Sequence, residues 1–171
     1  VALGDSIIKG PDGSSLIREM IALHLREGAA CTLAVEEVDP DEAYRYGIVK
    51  PAQGQEGQAA FALDDLVEKP KLGSAPSNLA IAARYIFSPA IFEAIRRTAP
   101  DRQGELQLTD SIRLLMQLGH KVQAVRLRPG ERRYDIGNFE SYFKAFIDFA
   151  LADEKYGYMI RQYLKRKARE L

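Results

Sequence analysis

A mixed α/β layered sheet flanked by helices is the fold class this sequence predicts. Apolar strand-like runs such as ACTLAVEEV, NLAIAARYIFS and KVQAVRLRP alternate with amphipathic stretches of helical period. Two strand-like runs follow one another in the middle of the chain, so part of the sheet is antiparallel. The 171 residues, 46% of them hydrophobic and 28% charged, suffice for one globular domain with a sizeable core.

The elements follow in order. VALGD reads as a short buried strand ending at Gly4-Asp5. SSLIREMIALHLRE, residues 14–27, carries Leu16, Ile17, Met20, Ile21, Leu23 and Leu25 as a helix stripe, with Ser14 or Ser15 as N-cap and Gly28 as stop. ACTLAVEEV is a strand closed by Asp39-Pro40. AYRYGIVKPA and AAFALDDLVEKP are two strands joined by the polar turn QGQEGQ. NLAIAARYIFS is a continuous apolar strand, and SPAIFEAIRR a short helix with Ser88 as N-cap and Pro89 at the first helical position. LTDSIRLLMQLG is an amphipathic helix ending at Gly119, with Thr109 or Asp110 as its cap, and KVQAVRLRP is a strand. From Asn138 to Leu171 the pattern is helical and rich in aromatic residues, among them Tyr142, Phe143, Phe146, Phe149, Tyr156 and Tyr158.

Composition narrows the function. Lys+Arg and Asp+Glu are both 24, so the chain lacks the basic excess on which nucleic-acid binding rests. The single cysteine, Cys31, allows no internal disulfide and fits the reducing cytoplasm. No apolar run approaches the roughly 20 residues needed to span a bilayer. His24 and His120 lie far apart without Cys or His neighbours, which argues against zinc. The chain opens without Met in a strand-like segment and reads as a piece of a longer protein.

In open α/β sheets ligands bind outside the carboxyl ends of the strands. The residues there are Asp5, Gly47, Glu68, Lys69 and Asp135. A carboxylate such as Asp5 or Asp135 can hold Mg²⁺, and each can equally be a turn Asp. In VEKP a Glu and a Lys share a strand end, with Pro70 helping to bend the chain. The pair suits sugar hydroxyls and phosphate respectively, or is an ordinary edge-strand surface pair. Gly47 in YGIV either lets a backbone N–H approach a ligand or simply starts a strand. Thr109 either caps its helix or bonds a sugar.

Together LGDSII, YGIV, LVEKPK, APSNLAIAARYIFSPAIFEAI, GELQLTDSI and RRYDIGNFESYFKAFIDFAL resemble the bacterial UTP–glucose-1-phosphate uridylyltransferase family. The resemblance runs from Val1 to about Ala152. It implies the nucleotide-diphospho-sugar transferase fold, a Rossmann-like mixed sheet flanked by helices. It also implies the conversion of UTP and glucose 1-phosphate into UDP-glucose and pyrophosphate with Mg²⁺. Carried over by motif, Asp5 and Asp135 hold the metal and Lys69 binds the phosphate linking nucleotide and sugar. Glu68 takes sugar hydroxyls, Gly47 contacts the sugar through its backbone, and Thr109 lines the sugar pocket. A thymidylyltransferase or other sugar-1-phosphate nucleotidyltransferase, and a non-catalytic sugar-nucleotide-binding or assembly module, are the alternatives. The residues from Val1 onward are not expected to include the family's Gly-rich triphosphate loop, since GPDGSS at residues 10–15 lacks its basic residues. The expected organisation is thus a sugar-phosphate and metal portion over residues 1–137 and a helical packing or oligomerisation segment over 138–171. A homo-oligomer is expected, with no nucleic-acid or membrane partner.

Overall fold

The computed structural model describes residues 1–10, 15–101 and 103–170. Ser14 and most of GPDGSS lie outside the described residues. The chain divides into two compact units, one of residues Val1–Leu3 and Lys9–Arg132, the other of Gly4–Ile8 and Arg133–Leu171.

The first unit holds β2 (Cys31–Glu37), β3 (Gly47–Pro51), β4 (Ala60–Glu68), β5 (Leu79–Phe87) and β6 (Val122–Arg126), following β1 (Ser6–Lys9) in the chain. These five strands close on themselves in the order β2-β5-β3-β4-β6. Only β2 and β6 run parallel; the other pairs are antiparallel, so the sheet is mixed as expected. The continuous apolar run in β5 follows from its position, since it is paired on both edges, with β2 and β3. Cys31, Leu33, Val35, Phe61, Leu66 and Leu79 build one core with Ile112 and Leu115. Those two belong to α3 (Leu108–Gln117), whose apolar spacing turns one face inward. The opposite face of β2 and β6 is covered by α1 (Ser15–Glu27), which buries Leu16, Met20 and Leu23. Ile21 and Leu25 of the same helix are exposed, because they lie off that stripe. Gly28 ends α1 at φ +58°, a conformation that costs an L side chain about 1 kcal/mol or more.

Several local expectations are corrected. Residues 43–45 belong to a 3-10 turn, Pro40–Arg45, rather than to β3, because Asp39 caps that turn by accepting the Asp41 N–H at 3.0 Å. Ser88 is not the cap of α2 (Ala90–Arg97). Its N–H is still engaged with Ala30 C=O at 2.9 Å, and Pro89 holds the cap position. The opening stretch is not a buried strand. Only Ala2 bridges to β5, at Arg84, while Val1 and Leu3 are 67% and 40% exposed. Gly4 and Asp5 form a turn, so β1 follows Asp5 instead of preceding it. The reason lies in β5. Leu33 faces Tyr85 but Val35 faces Ile81, so β5 bulges where Ala83 sits at φ +56°. The bulge presents Ala83 C=O to Leu3 N–H and Tyr85 N–H to Val1 C=O, enough for one bridge.

In the second unit β1 pairs with β7 (Arg132–Asp135). Two helices follow, α4 (Phe139–Ala152) and α5 (Gly157–Lys167). Asn138 caps α4 by accepting the Ser141 N–H at 3.0 Å. Tyr134 of β7 packs on Phe149 of α4 with ring centroids 5.3 Å apart. No helix among the described residues is long and apolar enough to cross a membrane.

Candidate active site

Three of the expected residues meet at one end of β3 and β4. Gly47, the first residue of β3, is paired directly with Glu68, the last of β4. Thr109 lies in the first turn of α3, on the same helical face as Ile112 and Leu115, so packing of α3 on β4 carries it to the strand end. Its hydroxyl donates to Glu68 Oε2 at 2.7 Å. This corrects one expectation: neither Thr109 nor Asp110 caps α3. Gln107 occupies the cap with extended backbone, and Thr109 sits too deep in the helix to serve there. A Cβ placed on Gly47 would lie 2.9 Å from Glu68 Oε2, 3.0 Å from Ile81 Cδ1 and 3.2 Å from Thr109 Oγ1. The glycine is thus needed for space, beyond any role in starting a strand. It leaves a small concavity, walled by a carboxylate, a hydroxyl and a methyl, with a backbone edge as its floor.

The loop into α3 is ordered by Asp101. Its carboxylate accepts from Gln107 Nε2 at 2.7 Å and from the N–H groups of Gln103 and Glu105. The Gln107 amide, and after it the backbone N–H of Glu105 and of Gln103, hold this carboxyl below the usual carboxylate range. The same contacts set where α3 begins, and so where Thr109 stands.

Lys69 follows Glu68 with φ +42°, an uncommon conformation for a non-glycine residue. Its N–H donates to Tyr46 C=O at 3.1 Å, which extends the β3–β4 pairing by one bond. In a regular strand Glu68 and Lys69 would point to opposite faces. The positive φ breaks that alternation at Lys69 itself, one residue earlier than the proline on which the sequence reading relied. The Lys69 side chain is exposed, and its ammonium has no ion-pair partner among the described residues.

Asp5 and Asp135 come together in the second unit although 130 positions separate them. Ile136 N–H donates to Asp5 C=O at 2.7 Å, which ties the Gly4-Asp5 turn to the end of β7. A Cβ placed on Gly137 would lie 3.3 Å from Asp135 Oδ1 and 3.6 Å from Asp5 Oδ2, so both carboxylates border one point. Asp135 Oδ1 also accepts the Gly137 N–H at 2.9 Å, so the turn role and a ligand role coexist in one side chain. Two hard oxygen donors on one spot suit a divalent ion such as Mg²⁺, which takes few carboxylates and completes its shell with phosphates and water. Among the described residues no group of three or more His, Cys, Asp and Glu forms a fuller cage.

The Nucleotidyl transferase family profile matches residues 2–151. The chain belongs to that family. Nucleotidyl transferases of this kind generally use a divalent metal. The UTP--glucose-1-phosphate uridylyltransferase of Streptococcus pneumoniae serotype 4 is 35% identical over 174 residues, covering 100% of this chain and 56% of that protein. A putative UTP--glucose-1-phosphate uridylyltransferase of Methanocaldococcus jannaschii is 34% identical over 146 residues, covering 85% and 48%. Among solved structures, a UTP-bound UGPase from Acinetobacter baumannii superimposes with TM-score 0.82 at 31% identity, covering 96% of this chain and 54% of that one. A UDP-glucose pyrophosphorylase complexed with UDP-glucose gives TM-score 0.79 at 31% identity, covering 90% and 56%. The Rossmann-like mixed sheet of the nucleotide-diphospho-sugar transferase fold is thereby established for this nucleotidyl transferase. The chain spans about half the length of the curated relatives it matches.

Three site features were not legible in the sequence. Ile81 walls the Gly47 concavity from β5, and nothing in an apolar run distinguishes it from its neighbours. Gly137 gives both carboxylates room, for which the Asp-x-Gly spacing in RRYDIGN was the available signal. The positive φ of Lys69 has no sequence signal, since glycine and asparagine are the residues that mark such positions.

Proposed function

We propose that this chain is the sugar-side portion of a UTP–glucose-1-phosphate uridylyltransferase, which makes UDP-glucose and pyrophosphate. The observation that carries the reading is the Thr109–Glu68 hydrogen bond over the open α-carbon of Gly47. A carboxylate has about four acceptor positions. Thr109 uses one on Oε2, fixes the group's orientation, and leaves the others for sugar hydroxyls. Gly47 allows the sugar ring to approach the backbone of β3. The carboxylate and hydroxyl thus read a polyhydroxy ring, and Ile81 provides an apolar wall.

In the reaction, an oxygen of glucose 1-phosphate attacks the α-phosphorus of UTP, the bond from that phosphorus to the bridging oxygen breaks, and pyrophosphate leaves. No covalent enzyme intermediate is needed. Lys69 meets the phosphate that ends up linking sugar and nucleotide, and its ammonium counters the charge that redistributes as the bond forms. Asp5 and Asp135 would hold Mg²⁺, which when bound offsets phosphate charge. The two Asp residues and Lys69 act by positioning and electrostatics, which is where catalysis of phosphoryl-type transfers resides. The protein works in the cytoplasm as a homo-oligomer, with exposed aromatic side chains of α4 and α5 as the contact surface.

The test is pyrophosphate release from UTP and from dTTP with glucose 1-phosphate, using the longest product of the gene. Release with UTP and little with dTTP is the expected result. Preference for dTTP would reassign the chain to the thymidylyltransferases. UDP-glucose binding without turnover by any nucleotide would make it a binding module.

A further inference from the structure

We infer that the first unit carries a second small-molecule site, for a phosphorylated sugar, at the end of the sheet remote from Glu68. A cavity of about 490 Å³ opens where α1 stops, against the beginnings of β4 and β6. That volume falls in the range of small-ligand pockets. The register explains why the space exists. Thr32, Gln123 and Ala62 lie side by side across β2, β6 and β4, so their side chains share the face that α1 covers. Thr32 lies under α1 and bonds His24 Nδ1 at 3.1 Å. Beyond Gly28 no helix continues, and Ala60 and Ala62 are too small to fill the gap.

Gln123 marks the site as more than a packing defect. It lines the cavity and is 92% buried, yet its side-chain amide has no hydrogen-bond partner among the described residues. Its amide atoms are not sealed in the core but open on the cavity, where they stay available to a ligand. It offers both a donor and an acceptor, the complement of a hydroxyl. At the rim Lys121 spends one donor on Glu27 C=O at 3.3 Å, leaving the rest of its ammonium open. Arg26 engages Glu27 only through Nε, at 3.0 Å, and its terminal nitrogens remain. The single carboxylate of the rim is thus already paired, and His120 adds a further nitrogen donor. Cationic rim and amide floor together select an anion on a hydroxyl-bearing body. The site is distinct from the Gly47–Glu68–Thr109 concavity: the five steps from Leu63 to Glu68 along β4 span roughly 17 Å.

The experiment is a titration of isotope-labelled protein with ribose 5-phosphate, followed by backbone and side-chain amide NMR, with ribose and inorganic phosphate as comparison probes. Saturable shifts are expected at the Gln123 side-chain amide and at Lys121, with ribose 5-phosphate binding tighter than either comparison probe. Lys121→Ala, a surface change that leaves the fold alone, weakens binding about tenfold. Gln123→Leu, which breaks no internal hydrogen bond, weakens it while the backbone spectrum stays folded. Glu68→Gln leaves this affinity unchanged. Shifts confined to Gly47, Glu68 and Thr109 overturn the inference. So does equal affinity in Lys121→Ala, or inorganic phosphate binding as tightly as the sugar ester.

Discussion

The backbone of Lys69 predicts that the residue proposed to serve catalysis here is not the best for stability. At φ +42° an L side chain is strained by about 1–2 kcal/mol, whereas glycine adopts this region freely. The Lys69 side chain is exposed, so truncating it removes little packing. Lys69→Ala should leave stability close to wild type, because alanine retains the strain. Lys69→Gly relieves the strain but gains freedom in the unfolded chain, which offsets part of the benefit. The net advantage of glycine over alanine is about 1 kcal/mol. For a chain of this size that is a difference in Tm of about 2–4 °C. Thermal unfolding of the two variants side by side isolates the backbone term, since neither carries the ammonium. On the proposed function both should lose most UDP-glucose-forming activity, because the ammonium proposed to meet the phosphate is gone. Equal Tm values for the glycine and alanine variants would refute the strain argument. Normal turnover in Lys69→Ala would remove Lys69 from the phosphate.

Gly47→Ala sets a methyl 2.9 Å from Glu68 Oε2 and should push that carboxylate off Thr109, weakening UDP-glucose affinity about tenfold or more in calorimetry while the fold survives. Asp5→Asn and Asp135→Asn should each abolish most turnover with an unchanged Tm; an asparagine oxygen at 135 can still accept the Gly137 N–H, so the turn persists without the charge. Near-normal activity of either across a magnesium titration would exclude that residue from the metal. Burial pushes the Cys31 thiol up, so iodoacetamide should label it only on unfolding. The fold accommodates the neutral thiol, so this contribution to stability is complete below the ordinary thiol pKa. It shrinks as pH rises past that value and the unfolded chain releases its proton. Phe143 and Phe146 are 58% and 63% exposed on α4; sedimentation should give a mass above the 19.1 kDa monomer, and Phe146→Glu should lower it.

Much of this protein was legible in its sequence, where signals are local. Apolar periodicity located β2 to β6 and the helices, because burial of one face leaves its period in the chain, but it found neither β1 nor the short, half-exposed β7. Gly28 and Asn138 marked a helix end and a helix start, because their conformational freedom and capping chemistry act within a few residues. The motifs around Gly47, Glu68 and Thr109, and those around Asp5 and Asp135, named residues that the structure brings together as two separate groups. Only the tertiary structure decided what those residues do to one another. Thr109 could not be told from a helix cap until α3 packed on β4 and brought its hydroxyl to Glu68, 41 positions away. Asp5 was expected after a strand and stands before one, because the bulge at Ala83 leaves the opening residues a single bridge. The bend at Lys69 and the empty space over Ala62 are likewise set by pairing and by where a helix ends. A sequence records the local preference of each residue. Space, strain and partnership arise between residues that only folding brings together.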